Sequence, residues 1–445
     1  MGVIMQGFYW NCPAAEGQDG TWWSFVTAKL PLLKQAGFTA LWLPPASKAA
    51  NLSGPSMGYD PYDYYDLGDI DQKGRIKTWF GNEQELRALI DAAHQNGIQV
   101  YADLVLDHNS GADSPEKSPV DGVTRWTKFT PGSGKFSRNW QCFHPSPYES
   151  FDGATFGSMP DLCHRDPFVY TEIMKLAQWM IEDVDFDGFR FDFVKGYAPW
   201  MVKAIAEVRY LNKTEHGFAP FCVGECWDND RTIDHWLTSV NAFIDNPISA
   251  FDFPLRYRLK DLCDSYGFSL KTLTQGDTVV ATNPAQAVTF VDNHDTTQSP
   301  SDAVINDKLL AYAYILTHEG YPCVFWQDYF NYGLARTGTP NGIEALVIAH
   351  ERYAGGTTKV LYCDDDLYIM ERLSSGDQRG LVFVLNNLGD KWNGTTVETG
   401  WANTKFEPIA WDGLDAGTPS SKSTDSSGRA DFWAAPRGYA VYAPG

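Results

Sequence analysis

Four short segments place acids, a histidine or an arginine where an apolar run ends: Asp103-Leu104-Val105-Leu106-Asp107-His108, Gly188-Phe189-Arg190-Phe191-Asp192-Phe193-Val194-Lys195, Val223-Gly224-Glu225-Cys226-Trp227 and Phe290-Val291-Asp292-Asn293-His294-Asp295. Alternate side chains of a strand share a face, so Arg190 and Asp192 project to the same side. An Arg and an Asp together in so apolar a strand cost desolvation unless they pair. A neighbouring guanidinium keeps a carboxylate ionised, as a nucleophile requires. A buried ion pair bracing a core would look the same, and on this segment alone the two readings stand level. Glu225 follows an apolar strand and lies beside Trp227, a setting that raises a carboxyl pKa and suits a general acid. By itself it also reads as a helix cap or a surface residue. Four strand ends carrying such groups at one rim form a constellation that a core does not need.

Two carboxylates facing one glycosidic bond suffice for its hydrolysis. One attacks the anomeric carbon, and the other protonates the leaving oxygen and then activates water. In retaining enzymes the two stand about 5–5.5 Å apart. A third acid can hold ring hydroxyls more tightly as the ring flattens in the transition state.

The elements that must position these groups alternate between strand and helix. Strands are expected at Val3–Phe8, Ala40–Leu43, Val100–Leu106, Gly188–Phe193, Phe221–Gly224, Ser249–Phe253, Val288–Val291 and Cys323–Trp326. Helical spacing is read over Trp22–Gln35, Glu83–Gln95 (capped by Asn82), Phe168–Asp183, Trp200–Leu211, Lys308–His318 and Ile343–Tyr353. Eight such units argue for an α/β fold, a closed parallel (β/α)₈ barrel, whose active sites sit at the C-terminal strand ends. A stretch rich in Gly, Ser and Pro interrupts the alternation after the third strand, and loops of that length are usually functional insertions. After Gly355-Gly356 the texture changes to short strands split by turns, which predicts a C-terminal β-sandwich. The expected organisation is a barrel over 1–108 and 165–355, an inserted domain over 109–164 and a C-terminal domain over 356–445. Ser420–Ser427 is read as a surface loop.

The 445 residues are 43% hydrophobic, enough for a large core, and no apolar run of about 18 residues suggests a membrane span. A net charge of −21 disfavours nucleic acid and anionic lipid and suits a neutral substrate or a cation. Sixteen Trp and 22 Tyr offer amphipathic rings that can stack on sugar faces, although many will be core. The eight Cys show no CxxC pair and read mostly as buried thiols. No signal peptide is read at the start of the chain.

At the four acid-bearing segments the chain resembles the α-amylase family of glycoside hydrolases. DLVLDH (Asp103–His108), GFRFDFVK (Gly188–Lys195), VGECW (Val223–Trp227) and FVDNHD (Phe290–Asp295) are similar to its four signature stretches, in order, and MPDL (Met159–Leu162) to a fifth. MGYDPYDYYDLG (Met57–Gly68) resembles the family's substrate-stacking loop, and GVIMQGFYW and WLPPASK resemble its archaeal and plant-like branch. The resemblance implies an endo-acting hydrolase of α-1,4 bonds in starch, amylose, glycogen and maltooligosaccharides, secreted and monomeric. It implies Asp192 as nucleophile, Glu225 as general acid/base and Asp295 as transition-state stabiliser. Tyr59, His108, Arg190, Lys195, Trp227 and His294 would contact sugar, and Asp103 would stand behind the nucleophile.

The resemblance makes the insertion a metal-binding domain B. Calcium would be held by Asp107, Asp152, Asp161 and the carbonyls of Ala154 and Gly196; it takes about 6–8 oxygens, which these residues and waters would supply. Asp107 departs from the Asn usual in the family and still offers oxygen. Zinc is held in this domain in related archaeal-type enzymes, and the matching positions are His144, Glu149 and Cys163. With Glu replacing the usual second His, unliganded polar residues are the expectation there. The branch's vicinal Cys pair is replaced by Ser150-Phe151, so that disulfide is not expected. Two other readings stay open: a glucanotransferase or maltogenic hydrolase of the same superfamily, and a barrel that binds carbohydrate without cleaving it. The complete trio of acids argues against the second.

Overall fold

The computed structural model describes residues 2–52, 54–210, 213 and 217–445. Eight strands, β1 (Ile4–Gln6), β2 (Ala40–Trp42), β3 (Gln99–Leu104), β4 (Gly188–Phe191), β5 (Phe221–Gly224), β6 (Ser249–Phe251), β7 (Ala287–Phe290) and β8 (Tyr321–Phe325), close into a parallel barrel in the order β1-β8-β7-β6-β5-β4-β3-β2. By compactness the chain divides into two units, Trp10–Leu32 with Ala40–Phe251, and Met1–Tyr9 with Leu33–Thr39 and Asp252–Gly445.

The first of these contains β2 to β6. Leu104, Phe191 and Gly224, the last residues of β3, β4 and β5, lie in register with one another. The residues just past them therefore leave the barrel side by side. The helix Glu83–Gln95 begins with the capping expected of Asn82: its side chain accepts from the Glu85 N–H, and Glu85 reaches back to the Asn82 N–H. The helix expected over 22–35 is instead two, Trp22–Thr27 and Leu30–Ala36. Pro31 has no N–H to continue the ladder and its ring crowds the preceding turn, so the helix restarts around it. The helix expected over 200–211 runs over Pro199–Ala206, and Leu211 lies outside the described residues.

The segment after β3 holds a hairpin, Ser114–Lys117 with Thr124–Lys128, and a 3₁₀ turn at Trp140–Cys142. It comes back to its starting point through a bridge between His108 and Asp161, with Leu162 N–H donating to the Asp107 carbonyl at 2.8 Å. Both ends of the insertion are thus tied to the rim of β3.

The second unit carries the C-terminal β region. A six-stranded sheet runs in the order β9 (Thr358–Cys363), β10 (Leu367–Arg372), β11 (Leu381–Asn386), β16 (Gly438–Pro444), β13 (Lys405–Asp412) and β14 (Lys422–Ser423); a second sheet pairs β12 (Asn393–Glu398) with β15 (Arg429–Ala434). Ile369, Val382, Val384, Phe406 and Tyr442 from the first sheet pack with Val397, Phe432 and Ala434 from the second, which makes a sandwich. Sequence reading found strands at Val360–Cys363, Leu367–Arg372, Gly380–Asn386 and Tyr439–Tyr442; it missed β12, which is almost wholly polar, β13, where Pro408 interrupts the pattern at a register shift, and β15. The expected loop 420–427 contains β14, which pairs with Lys405 and Phe406. All eight cysteines are unbonded, and among the described residues no helix is long and apolar enough to cross a membrane.

Candidate active site

Arg190 and Asp192 bracket the end of β4. Arg190 is 1% exposed, and its guanidinium is surrounded by acids. Nη1 lies 2.8 Å from Asp103 Oδ1 and 2.6 Å from Asp192 Oδ1, and Nη2 lies 2.8 Å from Glu225 Oε1. One planar fork thus spans all three carboxylates, a task a point-charged lysine could not perform. Buried charges are tolerated only in such company. Burial works against the Arg190 charge, but Asp103, Glu225 and Asp192 together raise its pKa well above the ordinary value.

Asp103 anchors the fork from behind. Its Oδ2 accepts from Trp42 Nε1 at 3.0 Å and from the Tyr59 hydroxyl at 2.8 Å. Burial raises its pKa, against the pull of Arg190 and with the push of the Asp192 charge, to about 7. Tyr59 also lies under the guanidinium, 5.8 Å from ring centre to Cζ, and stacks on Trp10 at 6.0 Å. His108 Nε2 is 2.9 Å from the Tyr59 carbonyl and its Nδ1 is 3.0 Å from Asp107 Oδ2. Burial opposes the His108 charge, yet Asp107 and the Tyr59 carbonyl raise its pKa overall.

Glu225 sits one residue past β5 and is 7% exposed. Its surroundings differ from the apolar ones expected: besides Arg190, its Oε2 accepts the backbone N–H of Phe193 at 3.1 Å. Phe193 has φ 45°, the left-handed region that a bulky residue seldom enters. The turn after Asp192 takes that conformation and presents its N–H to the acid. Gly224 matters for a different reason. A Cβ there would lie 2.2 Å from the Trp236 ring of the following helix, so only glycine lets that helix press on the strand end that carries Glu225.

Tyr59, Asp103, His108, Arg190, Asp192 and Glu225 are therefore brought together. Lys195 Nζ donates to the Trp227 carbonyl at 2.6 Å and approaches Asp228 Oδ2 at 3.3 Å, tying those two expected sugar contacts to each other. His294 and Asp295 belong to the second unit and follow β7. His294 Nδ1 meets Gln6 Nε2 at 2.9 Å and its ring packs on Phe8 at 4.9 Å, while Nε2 lies 3.3 Å from Asp295 Oδ2. The Asp295 N–H donates to Asn293 Oδ1, which shapes the turn that presents this acid.

The expected metal ligands also converge. Asp107 Oδ1, both oxygens of Asp152 and Asp161 Oδ1 are buried with no hydrogen-bond partner. Burial raises the pKa of Asp107 and Asp161, against the opposing pull of His108 on the first and His144 on the second. The backbone allows no side chain at residue 196: a Cβ on Gly196 would lie 1.8 Å from Asp107 Oδ1, and one on Gly153 would lie 2.4 Å from the Gly196 carbonyl. The Ala154 N–H donates to the Lys195 carbonyl at 2.9 Å, holding that loop in place. Hard oxygen donors left unpartnered in a tight cradle suit a divalent cation such as calcium. His144, Glu149 and Cys163 form a second group with ligand atoms within 4.8 Å of one another, and His144 Nε2 and Glu149 Oε2 are buried without partners.

Sequence reasoning missed Trp42, whose indole anchors Asp103, and His164, whose Nδ1 lies 3.6 Å from Asp152 Oδ2. It also missed Phe156, whose ring stacks on His108 at 4.6 Å. A Trp at the mouth end of a barrel strand was a readable signal for the first. Nothing in the local sequence marks the other two.

The model of the α-amylase catalytic domain matches residues 14–329. An α-amylase of Geobacillus stearothermophilus is 34% identical over 88% of this chain and 79% of its own length. A probable α-amylase 2 of Arabidopsis thaliana is 30% identical over 82% of this chain and 84% of its own. A Geobacillus thermoleovorans α-amylase solved in complex with acarbose superposes with a TM-score of 0.71 at 21% identity, covering 99% of this chain and 97% of that one, which shows the shared fold. A catalytic-domain match over most of the chain and relatives aligned along nearly its whole length leave one conclusion: this chain belongs to the α-amylase family of glycoside hydrolases.

Proposed function

We propose that the enzyme is an endo-acting α-amylase that hydrolyses internal α-1,4 bonds of starch and related glucans with retention of anomeric configuration. The observation that carries this reading is the single Arg190 guanidinium in contact with both Asp192 and Glu225, which keeps the two carboxyl groups within reach of one glycosidic bond. Asp192, paired with that cation, attacks the anomeric carbon. Glu225 delivers its proton to the leaving oxygen, then takes one from the water that releases the glycosyl-enzyme. The oxocarbenium-like ring is stabilised by Asp295 from the end of β7, and Tyr59, His108, His294, Lys195 and Trp227 bind the sugars on either side.

Calcium fits the orphaned oxygens of Asp107, Asp152 and Asp161 with the Ala154 and Gly196 carbonyls. When bound it neutralises the buried acids and fastens the insertion to the rim of β3. The group His144, Glu149 and Cys163 is a candidate for a softer ion such as zinc, and its two orphaned atoms favour an ion over the unliganded residues that the sequence alone suggested. We divide the chain at 1–108 with 165–355, 109–164 and 356–445. Its working place is outside the cell, where polymeric starch is met, and it acts as a monomer.

Proton NMR of a maltooligosaccharide digest tests the mechanism: the α-anomer must appear first. A rapid loss of amylose iodine colour relative to reducing ends tests endo-action. Initial release of the β-anomer would remove retention, and transfer products exceeding hydrolysis would favour a glucanotransferase.

A further inference from the structure

The solvent face of the small sheet β12/β15 carries tryptophan that the sandwich core does not use. In its register Gly394 opposes Trp433 and Thr396 opposes Asp431, while Val397, Ala430, Phe432 and Ala434 point into the core. Thr396, Glu398, Arg429, Asp431 and Trp433 are exposed, Trp433 to 36%. Trp392 precedes β12 by one residue and is half-buried. It stands two residues before Gly394, the residue opposite Trp433.

Both indoles are held in fixed orientations. Trp433 Nε1 donates to Asp431 Oδ2 at 2.6 Å, and Lys422 Nζ donates to that same oxygen at 2.9 Å. Trp392 Nε1 donates to Asp415 Oδ2 at 2.7 Å, and Asp415 Oδ1 accepts from the Gly417 N–H. A Cβ on Gly394 would lie 2.7 Å from Trp433 Cγ, so the indole crosses the opposite strand where only glycine leaves room. The Tyr442 hydroxyl fixes the Trp433 carbonyl from the core side at 2.7 Å.

We propose that this face is a second carbohydrate site, separate from the catalytic cluster, that binds an α-glucan chain. The inference rests on the substrate class proposed above. Immobilised indoles lose little entropy when a ligand arrives, and their flat faces suit the apolar faces of pyranose rings. Aspartates and a lysine around them serve hydroxyl groups. Charge selects among partners: Asp415, Asp431, Glu398 and the −21 net charge repel polyanions, and the Thr396, Asp431, Glu398 and Arg429 side chains that continue this face beyond Trp433 lack the aliphatic surface a protein partner needs. A neutral, hydroxyl-rich polymer meets both conditions.

Adsorption of the full chain to raw starch granules in the cold, with cellulose as control, and turnover of soluble maltoheptaose are measured for wild type, Trp433→Ala and the double variant Trp392→Ala/Trp433→Ala. The double variant should lose about tenfold or more in granule affinity with maltoheptaose kcat/KM and Tm unchanged. Trp433→Ala, at an exposed strand position, should show a smaller loss and decides the matter if the double variant folds poorly. Unchanged adsorption in both variants overturns the site. Failure of the wild type to turn over maltoheptaose would count against the proposed activity instead, because adsorption is read independently.

Discussion

Phe193 donates its backbone N–H to Glu225 Oε2 across 3.1 Å from a left-handed conformation at φ 45°. The residue after one proposed catalytic carboxylate thus holds the other. Arg190 binds the opposite oxygen of Glu225, so the acid is gripped on both sides. Replacing Arg190 with lysine keeps the charge and loses the fork. Arg190→Lys should lower kcat/KM by about 10²-fold or more through misplacement of the two acids. Steady-state kinetics on maltoheptaose check this, and a near-native rate would show that the fork does not position them.

Asp192→Asn and Glu225→Gln remove the proposed nucleophile and proton donor with almost no change of shape. Each should lose several orders of magnitude in turnover while Tm stays close to wild type, because the substituted amides still fit the pockets. Purified variants that retain ordinary turnover would refute the assignment.

Gly224→Ala places a methyl group 2.2 Å from the Trp236 ring. Overpacking of this kind costs about 1–3 kcal/mol, and the strand end beneath Glu225 must shift to relieve it. We expect a lower Tm together with a lower kcat, both partly restored by Trp236→Leu in the double variant. Denaturation curves and kinetics on the four proteins of the cycle decide it.

Four buried carboxylate oxygens of Asp107, Asp152 and Asp161 have no hydrogen-bond partner. An ion bound only by the folded chain stabilises it by mass action. Excess chelator should therefore lower Tm, and added calcium should restore it. Asp152→Asn should weaken the calcium response. A melt indifferent to chelator would argue against an ion at these oxygens.

His318 is buried between the Tyr314 carbonyl at 2.8 Å and the Tyr368 hydroxyl at 3.0 Å, and burial lowers its pKa to about 3. The unfolded chain takes up a proton near pH 6.5 that the folded chain refuses. Stability is therefore complete above about pH 6.5 and falls as pH drops toward 3, at about 1.4 kcal/mol per unit. His318→Gln should reduce the slope of unfolding free energy between pH 6 and 4 by about one proton. An unchanged slope would show that His318 does not carry this sensitivity.

The barrel was readable because its determinants are local. Each strand end combines an apolar run with a polar stop, as at Gly188–Lys195 and Val223–Trp227, and backbone alternation alone puts Arg190 and Asp192 on one face. The family resemblance named the remaining site residues from contiguous motifs. The helix expected over 22–35 went wrong at a single proline, and β12 went unread because a sheet edge can form from polar residues once a partner strand supplies the hydrogen bonds.

What the chain alone could not specify was who touches whom across long separations. The expected apolar surroundings of Glu225 became an ion pair with Arg190 and a backbone hydrogen bond from Phe193, because closing β4 beside β5 decides which groups share the space between them. Trp42 on Asp103, Phe156 on His108 and His164 beside Asp152 join residues 61, 48 and 12 positions apart. Residue type and spacing determined the chemistry available; packing determined the charge around each group, since desolvation and Coulomb attraction depend on neighbours that only the folded chain assembles.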